Sequence, residues 1–280
     1  MSELTGAVTV ITGGAGGLGR ALALEAAKRG SRILLAEITD AGEAVQELRD
    51  AGATAEWFEV DVSDHAQMRQ LAEYARSTFG EVNVLINNAV QGDGTAGALA
   101  DADPDAVRRS FEVNITGYFN GIHVFAADLR SSAAGGRPAY LMNVGSEHSL
   151  GVPPYVMPVS AYTVSKYTML AFTDVARRDF AGTGIGVSLL APGWILTDRV
   201  REAVEQSAEF AAAVLPYAQL PAYVARAAFD GLARHEYIIY PNPKAVPFAI
   251  EHAEAVLAEL RRAELSGDGS EVAGEVWAQV

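Results

Sequence analysis

The chain has no cysteine in its 280 residues, so disulfides, thiolate nucleophiles and cysteine-ligated metals are all excluded. Basic residues are scarce as well. Lys and Arg total 21 against 35 Asp and Glu, a net charge of −14, which leaves no basic face for nucleic acid or an anionic membrane. An anionic cofactor is still allowed, because helix N-termini bind phosphate without any lysine. No apolar run approaches the ~20 residues of a membrane span. The opening Met1-Ser2-Glu3-Leu4-Thr5 has neither the basic segment nor the apolar segment of a signal peptide. The five histidines show no metal-ligand spacing, so no metal site is expected. A cytoplasmic protein is the expectation, with no nucleic-acid and no membrane partner.

What is present is globular: half the residues are apolar and 20% are charged. Strand-like apolar runs alternate with helical patterns. The strands fall at Ala7–Thr12, Arg32–Ala36, Glu56–Val62, Val82–Asn87, Pro138–Val144 and Ile185–Leu190. Helices are expected up to Lys28-Arg29-Gly30, over Asp40–Asp50, from a Ser63 or Asp64 cap to Gly80, over Pro104–Arg130 and over Ser160–Phe180. Such alternation predicts a Rossmann-like α/β fold: a doubly wound parallel sheet with helices on both faces, in a single domain. After Pro192 the pattern loosens. Residues 194–220 are helical in composition without strong caps and could form a mobile substrate lid; a last strand is expected within His235–Tyr240 and a last helix over Phe248–Leu265. The catalytic domain is thus expected to span residues 1–265, with 266–280 as a C-terminal tail.

Between the first strand and the first helix lies Thr12-Gly13-Gly14-Ala15-Gly16-Gly17-Leu18-Gly19. Glycine is needed where a chain turns with positive φ and where a pyrophosphate must approach the backbone. The following helix offers free N–H groups and a positive dipole end. Glu37 stands 18 residues after Gly19, where a carboxylate would accept hydrogen bonds from an adenosine ribose and repel a 2′-phosphate. NAD is therefore the expected cofactor. Arg20 and Arg32 keep NADP as the alternative.

Tyr162-Thr163-Val164-Ser165-Lys166 places a tyrosine and a lysine at i and i+4 on one helix face. A free tyrosine, with a pKa near ~10, is a poor base at neutral pH. A nearby ammonium, together with an oxidised nicotinamide, would favour its phenolate and let it take a hydroxyl proton. By spacing alone the pair is no more than an exposed helix face.

In combination, the motifs resemble those of the short-chain dehydrogenase/reductase family. The TGxxxGxG pattern matches Thr12-Gly13, Gly17 and Gly19, enclosing Leu18, and YxxxK matches Tyr162 and Lys166. NNAG appears as Asn87-Asn88-Ala89-Val90, the strand-end aspartate as Asp61-Val62, and the helix asparagine as Asn114. Pro192-Gly193 follow the sixth strand, with Thr197 at the usual offset. The resemblance runs from residue 7 to about residue 200 and implies specific roles. Tyr162 is the acid/base, and Lys166 holds the nicotinamide ribose. Asn114 anchors a water linked to Lys166, and a serine holds the substrate oxygen. Asp61 and Val62 flank adenine, Asn88 lines the groove, and Thr197 fixes the carboxamide.

Two departures stand out. Val90 replaces the last glycine of NNAG. The serine after the fifth strand, Ser146, lies 16 residues before Tyr162, and Val152-Pro153-Pro154-Tyr155 looks inserted between them. Ser149 is therefore a rival, with Ser146 preferred for its offset from the strand end at Asn143. His148 could contact substrate, but it and Glu147 read as solvated or structural loop residues, and His123 as a packing or surface one. Tyr155, Met157, Trp194 and Leu196 are candidate walls of an apolar substrate pocket. The implied function is reversible NAD-dependent oxidation of a secondary alcohol to a ketone. The alternatives are an NADPH-dependent carbonyl reductase, a catalytically silent nucleotide-binding or scaffold protein, and a nucleotide-sugar epimerase, which the turn and the length fit poorly. The resemblance also implies a homodimer or homotetramer formed through the long helix and the Tyr162 helix.

Overall fold

A computed structural model describes residues 4–92, 97–152 and 160–266. Strands β1 (Val8–Thr12), β2 (Arg32–Glu37), β3 (Ala55–Glu59), β4 (Val84–Asn87), β5 (Tyr140–Val144), β6 (Gly186–Leu190) and β7 (Ile238–Ile239) form one parallel sheet. Their order is β3-β2-β1-β4-β5-β6-β7. The order reverses between β1 and β4, and such a switch point opens a crevice at the carboxyl ends of the strands.

Helices α1 (Gly17–Lys28) and α2 (Gly42–Asp50) cover one face of the sheet; α3 (His65–Phe79) and, past α4 (Pro104–Phe111), α5 (Gly117–Ala134) and α6 (Ser160–Asp179) cover the other. The strands read as unbroken apolar runs because alternate residues serve opposite faces. Ile33 and Leu35 pack towards α1 and α2, whereas Leu34 between them packs towards α3. Each such fully buried side chain contributes about 1.5–3 kcal/mol of apolar burial. β3 departs from this: it is the edge strand, and Glu56, Trp57 and Phe58 are only half-buried. It also ends at Glu59, so Asp61 and Val62 lie beyond the strand.

Three elements differ from the sequence reading. The helix expected from Pro104 to Arg130 is broken into α4 and α5 by a π-helical segment, Glu112–Thr116. Residues 194–220 contain α7 (Asp198–Gln206) and α8 (Ala208–Val214), and both are capped: Thr197 accepts from the Val200 N–H at 3.4 Å and Ser207 from the Phe210 N–H at 3.1 Å. A main-chain bridge between Ile195 and Gln219 closes the base of this segment. Helix α9 (Pro221–Ala233), absent from the sequence reading, lays Val224, Ala228 and Phe229 in the same core as Leu22 and Ala26 of α1. The last helix, α10, spans Val246–Ser266, so the tail at 267–280 lies outside the described residues. No described helix is long and apolar enough to cross a membrane.

Candidate active site

The glycine turn owes its shape to local sterics. Gly13 has φ +63° and Gly17 φ +53°, a region that disfavours side chains. A Cβ on Gly13 would come within 2.9 Å of the Ala89 Cα, and one on Gly19 would overlap the Gly13 carbonyl oxygen. Helix α1 starts from Gly16 with no side-chain cap and no acidic residue in its first turn. Its N–H groups and positive dipole end therefore face the cleft.

Asn88 does more than line this groove. Its Nδ2 donates to the carbonyl oxygens of Thr12 at 2.9 Å and Gly13 at 2.8 Å. Thr12 Oγ1 in turn accepts the N–H groups of Asn88 (2.9 Å) and Ala89 (3.0 Å). The loop after β4 is thus buttoned to the turn after β1. Glu37, at the end of β2, accepts the Ala15 N–H at 3.1 Å, which fixes its carboxylate beside the turn.

A cleft of about 570 Å³ runs from this turn to Tyr162. Gly13, Gly17, Leu18, Gly19 and Glu37 line one end, and Ser146, Tyr162 and Lys166 the other. Asp61, Val62, Asn88, Pro192, Gly193 and Thr197 also border it, as does Val90, whose side chain is exposed. Asp61 Oδ1 accepts from the Ser63 N–H and hydroxyl at 2.9 and 2.7 Å, which shapes the turn after β3. Thr197 stands over the glycine turn, its Cγ2 within 3.2 Å of where a Gly17 Cβ would be.

At the Tyr162 end the titratable groups are buried. Lys166 is 2% exposed, and its Nζ donates to the Val144 carbonyl at 2.8 Å. Burial holds its pKa down at about 7. Burial pushes the Tyr162 hydroxyl up to about 12, against the pull of a hydrogen bond with the Ser146 side chain and with some addition from the Glu147 carboxylate. The lowering expected from the lysine does not enter this balance. His148, expected to be structural, is buried edge-on to the Tyr162 ring at 5.6 Å and bonds the Thr163 hydroxyl at 2.9 Å. Burial, helped by the charge of Lys166, holds its imidazole at about 4 and therefore neutral.

The two serines part company. Ser146 lines the cleft with Tyr162, whereas the Ser149 hydroxyl donates to the Lys166 carbonyl at 2.6 Å and accepts the Ser146 N–H at 3.1 Å. Ser149 thereby ties the loop to the helix that carries Tyr162.

Asn114 does not line the cleft. It is wholly buried on the π segment; its Oδ1 accepts the Gln91 N–H at 2.7 Å, and its Nδ2 donates to Ser110, Gln91 and Ser165 oxygens at 3.0–3.1 Å. Ser165 donates onward to the Tyr162 carbonyl at 2.7 Å. The asparagine therefore joins the loop after β4 to the first turn of α6. Gln91, which borders the cleft beside it, was not singled out by the sequence; its only signal is adjacency to Asn87-Asn88-Ala89-Val90. Trp194 packs edge-on against Phe210 of α8 at 5.5 Å, while Tyr155 and Met157 lie outside the described residues. His123 is exposed and stacks on Phe119, and no metal-ligand cluster exists among the described residues.

A parallel sheet with this switch-point cleft and a Ser–Tyr–Lys group at its end defines a nucleotide-dependent oxidoreductase architecture. The short chain dehydrogenase profile matches residues 7–208, and the chain belongs to the short-chain dehydrogenase/reductase family. It is 29% identical over 208 residues to the D-beta-hydroxybutyrate dehydrogenase of Cupriavidus necator, covering 74% of this chain and 77% of the relative. Among solved structures, a short chain dehydrogenase/reductase from Burkholderia phymatum in complex with NAD is 30% identical with a TM-score of 0.81, over 92% of this chain and 97% of that one. A Beutenbergia cavernae protein with bound NADP at low occupancy is 25% identical with a TM-score of 0.76, over 88% and 98% of the two chains.

Proposed function

We propose that the protein catalyses the reversible NAD-dependent oxidation of an uncharged secondary alcohol to a ketone, as a single catalytic domain of residues 1–265. The observation that carries this reading is one cleft that begins on an uncapped helix N-terminus and ends on Ser146, Tyr162 and Lys166.

The residues present fit a dinucleotide. The free N–H groups of α1 would hold the pyrophosphate, Asp61 and Val62 would flank adenine, and Thr197 would hold the carboxamide. Two observations favour NAD over NADP. Glu37 already occupies the ribose end of the cleft. Arg20 is engaged by Glu47 at 2.5 Å, and Arg32 bonds the Gly6 carbonyl at the opposite end of its strand. Neither arginine is poised for a 2′-phosphate. The NAD bound to the Burkholderia relative agrees with this reading.

When bound, the cofactor supplies the hydride acceptor and, in oxidised form, a positive charge beside the cleft. Ser146 Oγ donates to the substrate oxygen and orients it. Tyr162 Oη takes the hydroxyl proton in oxidation and returns it in reduction. Lys166 holds the nicotinamide ribose, and Asn114 acts as a positioning residue through Ser165. Because Tyr162 stays protonated up to about 12 in the protein alone, it is ready as an acid; oxidation should speed up as pH rises into the alkaline range.

Lys166 is the one cation among the described residues that line the cleft, and it is committed to the cofactor end. An anionic hydroxy acid would therefore have no dedicated partner, which favours an uncharged, apolar alcohol. The test is NADH formation by the purified protein on a panel of alcohols, with Tyr162→Phe as the control. Turnover that falls with Tyr162→Phe supports the reading. Equal rates for the variant and the parent would overturn it, and tighter binding of NADP than NAD would overturn the cofactor assignment. Cofactor binding without turnover would return the protein to a silent scaffold.

A further inference from the structure

Among the described residues, the one hydrogen-bond acceptor of the buried Lys166 ammonium is the Val144 carbonyl, at 2.8 Å. The same oxygen takes a second donor, the hydroxyl of Tyr118 on α5, also at 2.8 Å. Tyr118 is 1% exposed and packs with Met169 of α6 and Leu189 of β6. Its ring lies beside the lysine, with Nζ 5.6 Å from the ring centroid. Burial pushes its hydroxyl far above the ordinary tyrosine range, so it stays a donor through the neutral and alkaline range. Tyr118 does not line the cleft, and the proposed chemistry gives it no task.

The carbonyl is open to both donors because the sheet releases it. Successive residues of a strand turn their N–H and C=O groups to opposite neighbours. In β5, the Tyr140 N–H bonds the Asn83 carbonyl at the start of β4, and the Gly145 N–H bonds the Leu190 carbonyl of β6. Val144, in phase with Tyr140, therefore turns towards β4. The register of β4 with β5 ends at Asn87 opposite Asn143, and one further pair would bring the Ala89 N–H to the Val144 carbonyl. That N–H is bonded to Thr12 Oγ1 instead, at 3.0 Å, where the loop after β4 is buttoned to the glycine turn. The contact that shapes the glycine end of the cleft thus frees an acceptor at the Tyr162 end, and Tyr118 and Lys166 share it.

We propose that Tyr118 is a positioning residue for Lys166: by keeping the Val144 carbonyl bonded on its own, it lets the lysine give up that acceptor when a nicotinamide ribose enters the cleft. This role rests on the ribose contact proposed for Lys166. With the lysine as sole donor, turning to the ribose would leave a buried carbonyl unbonded, which costs about as much as the new bond contributes. With two donors the carbonyl keeps a partner in either position of the lysine. Tyr118 acts only through that oxygen and touches neither cofactor nor substrate.

Tyr118→Phe removes one oxygen and keeps the ring. NADH affinity, read by fluorescence titration, should fall by about tenfold or more, because the lysine can then satisfy the ribose or the carbonyl but not both. Lys166→Met removes the group that moves and leaves the carbonyl to Tyr118. In that background, adding Tyr118→Phe should change NADH affinity by less than about twofold. A hydroxyl that only supported the fold would lower the urea midpoint of the free protein and weaken NADH alike in both backgrounds. Equal losses in the two backgrounds, or an affinity of Tyr118→Phe equal to the parent's, overturn the proposal. The titrations run equally with NADPH if the parent prefers it, since the nicotinamide ribose is common to both. A parent that binds neither dinucleotide overturns the cofactor reading itself, and the role of Tyr118 falls with it; a parent that binds while the variant matches it overturns the role of Tyr118 alone.

Discussion

The two ends of the cleft are built on different principles. The end at Gly13–Gly19 and Glu37 is made of backbone: positive-φ glycines, an uncapped helix, and an asparagine that bonds main-chain oxygens. The end at Ser146, Tyr162 and Lys166 is made of titratable side chains held out of water, with pKa values driven away from their ordinary ranges by burial. In the proposed function the first recognises by shape and dipole, and the second transfers a proton. Changes at the first should therefore act on cofactor binding, and changes at the second on turnover and pH dependence.

The largest effect should separate the two ends outright. Tyr162→Phe removes the proton-transfer group while leaving the ring beside His148. Turnover should fall by about 10²–10⁴, equivalent to about 3–5 kcal/mol of barrier, with NADH affinity within a few-fold of the parent. A parallel collapse of NADH affinity would show that the two ends are not separable.

Gly19→Ala is the converse. The added Cβ collides with the Gly13 carbonyl oxygen and lies 2.8 Å from Asn88 Nδ2, so α1 must shift away from the turn. Stability should fall by about 1–3 kcal/mol and cofactor affinity by tenfold or more, measured by chemical denaturation and by NADH fluorescence titration. Turnover at saturating cofactor should change less than affinity does.

Glu37→Ala tests the recognition end without adding bulk to the turn, although it frees the Ala15 N–H that the carboxylate accepts. Loss of a charged acceptor should weaken NAD by about 1.5–2 kcal/mol and leave NADP unchanged or tighter. Direct titration with both cofactors measures the difference.

The sequence revealed the two ends unequally. The glycine turn was legible because its chemistry is local: positive φ and close packing demand glycine wherever a strand runs into a helix this way. Tyr162 and Lys166 were legible only through their company, since i and i+4 on a helix is an ordinary spacing. What was not legible depends on contacts between distant segments. In a linear reading only the offset from the strand end at Asn143 favours Ser146 over Ser149; in the structure they differ because the Ser149 hydroxyl is taken by the Lys166 carbonyl. The π segment at Asn114 leaves the helical periodicity of its neighbours intact, so one continuous helix was expected. Helix α9 was missed although Pro221 stands at its first turn, a start signal that lay unused beside a loosened pattern. The pKa of Tyr162 is set by burial, which no spacing encodes.

The smallest effect bears on how the catalytic end balances stability against chemistry. His148 is neutral in the folded protein down to about 4, against an ordinary value of 6.5. Between those limits the unfolded chain binds a proton that the folded chain does not, so stability falls as pH drops from 6.5 towards 4. At pH ~5.5 this amounts to about 1.4 kcal/mol, a figure that follows from the unfolded-state titration once the folded imidazole stays neutral. His148→Asn keeps a polar atom near the position of Nδ1, towards Thr163, but has no proton to gain. The variant should therefore lose less stability than the parent between pH ~7 and ~5.5, read as a difference in urea midpoints. Identical acid sensitivity would mean that the imidazole is protonated in place, and that water reaches the edge of the Tyr162 ring despite its burial.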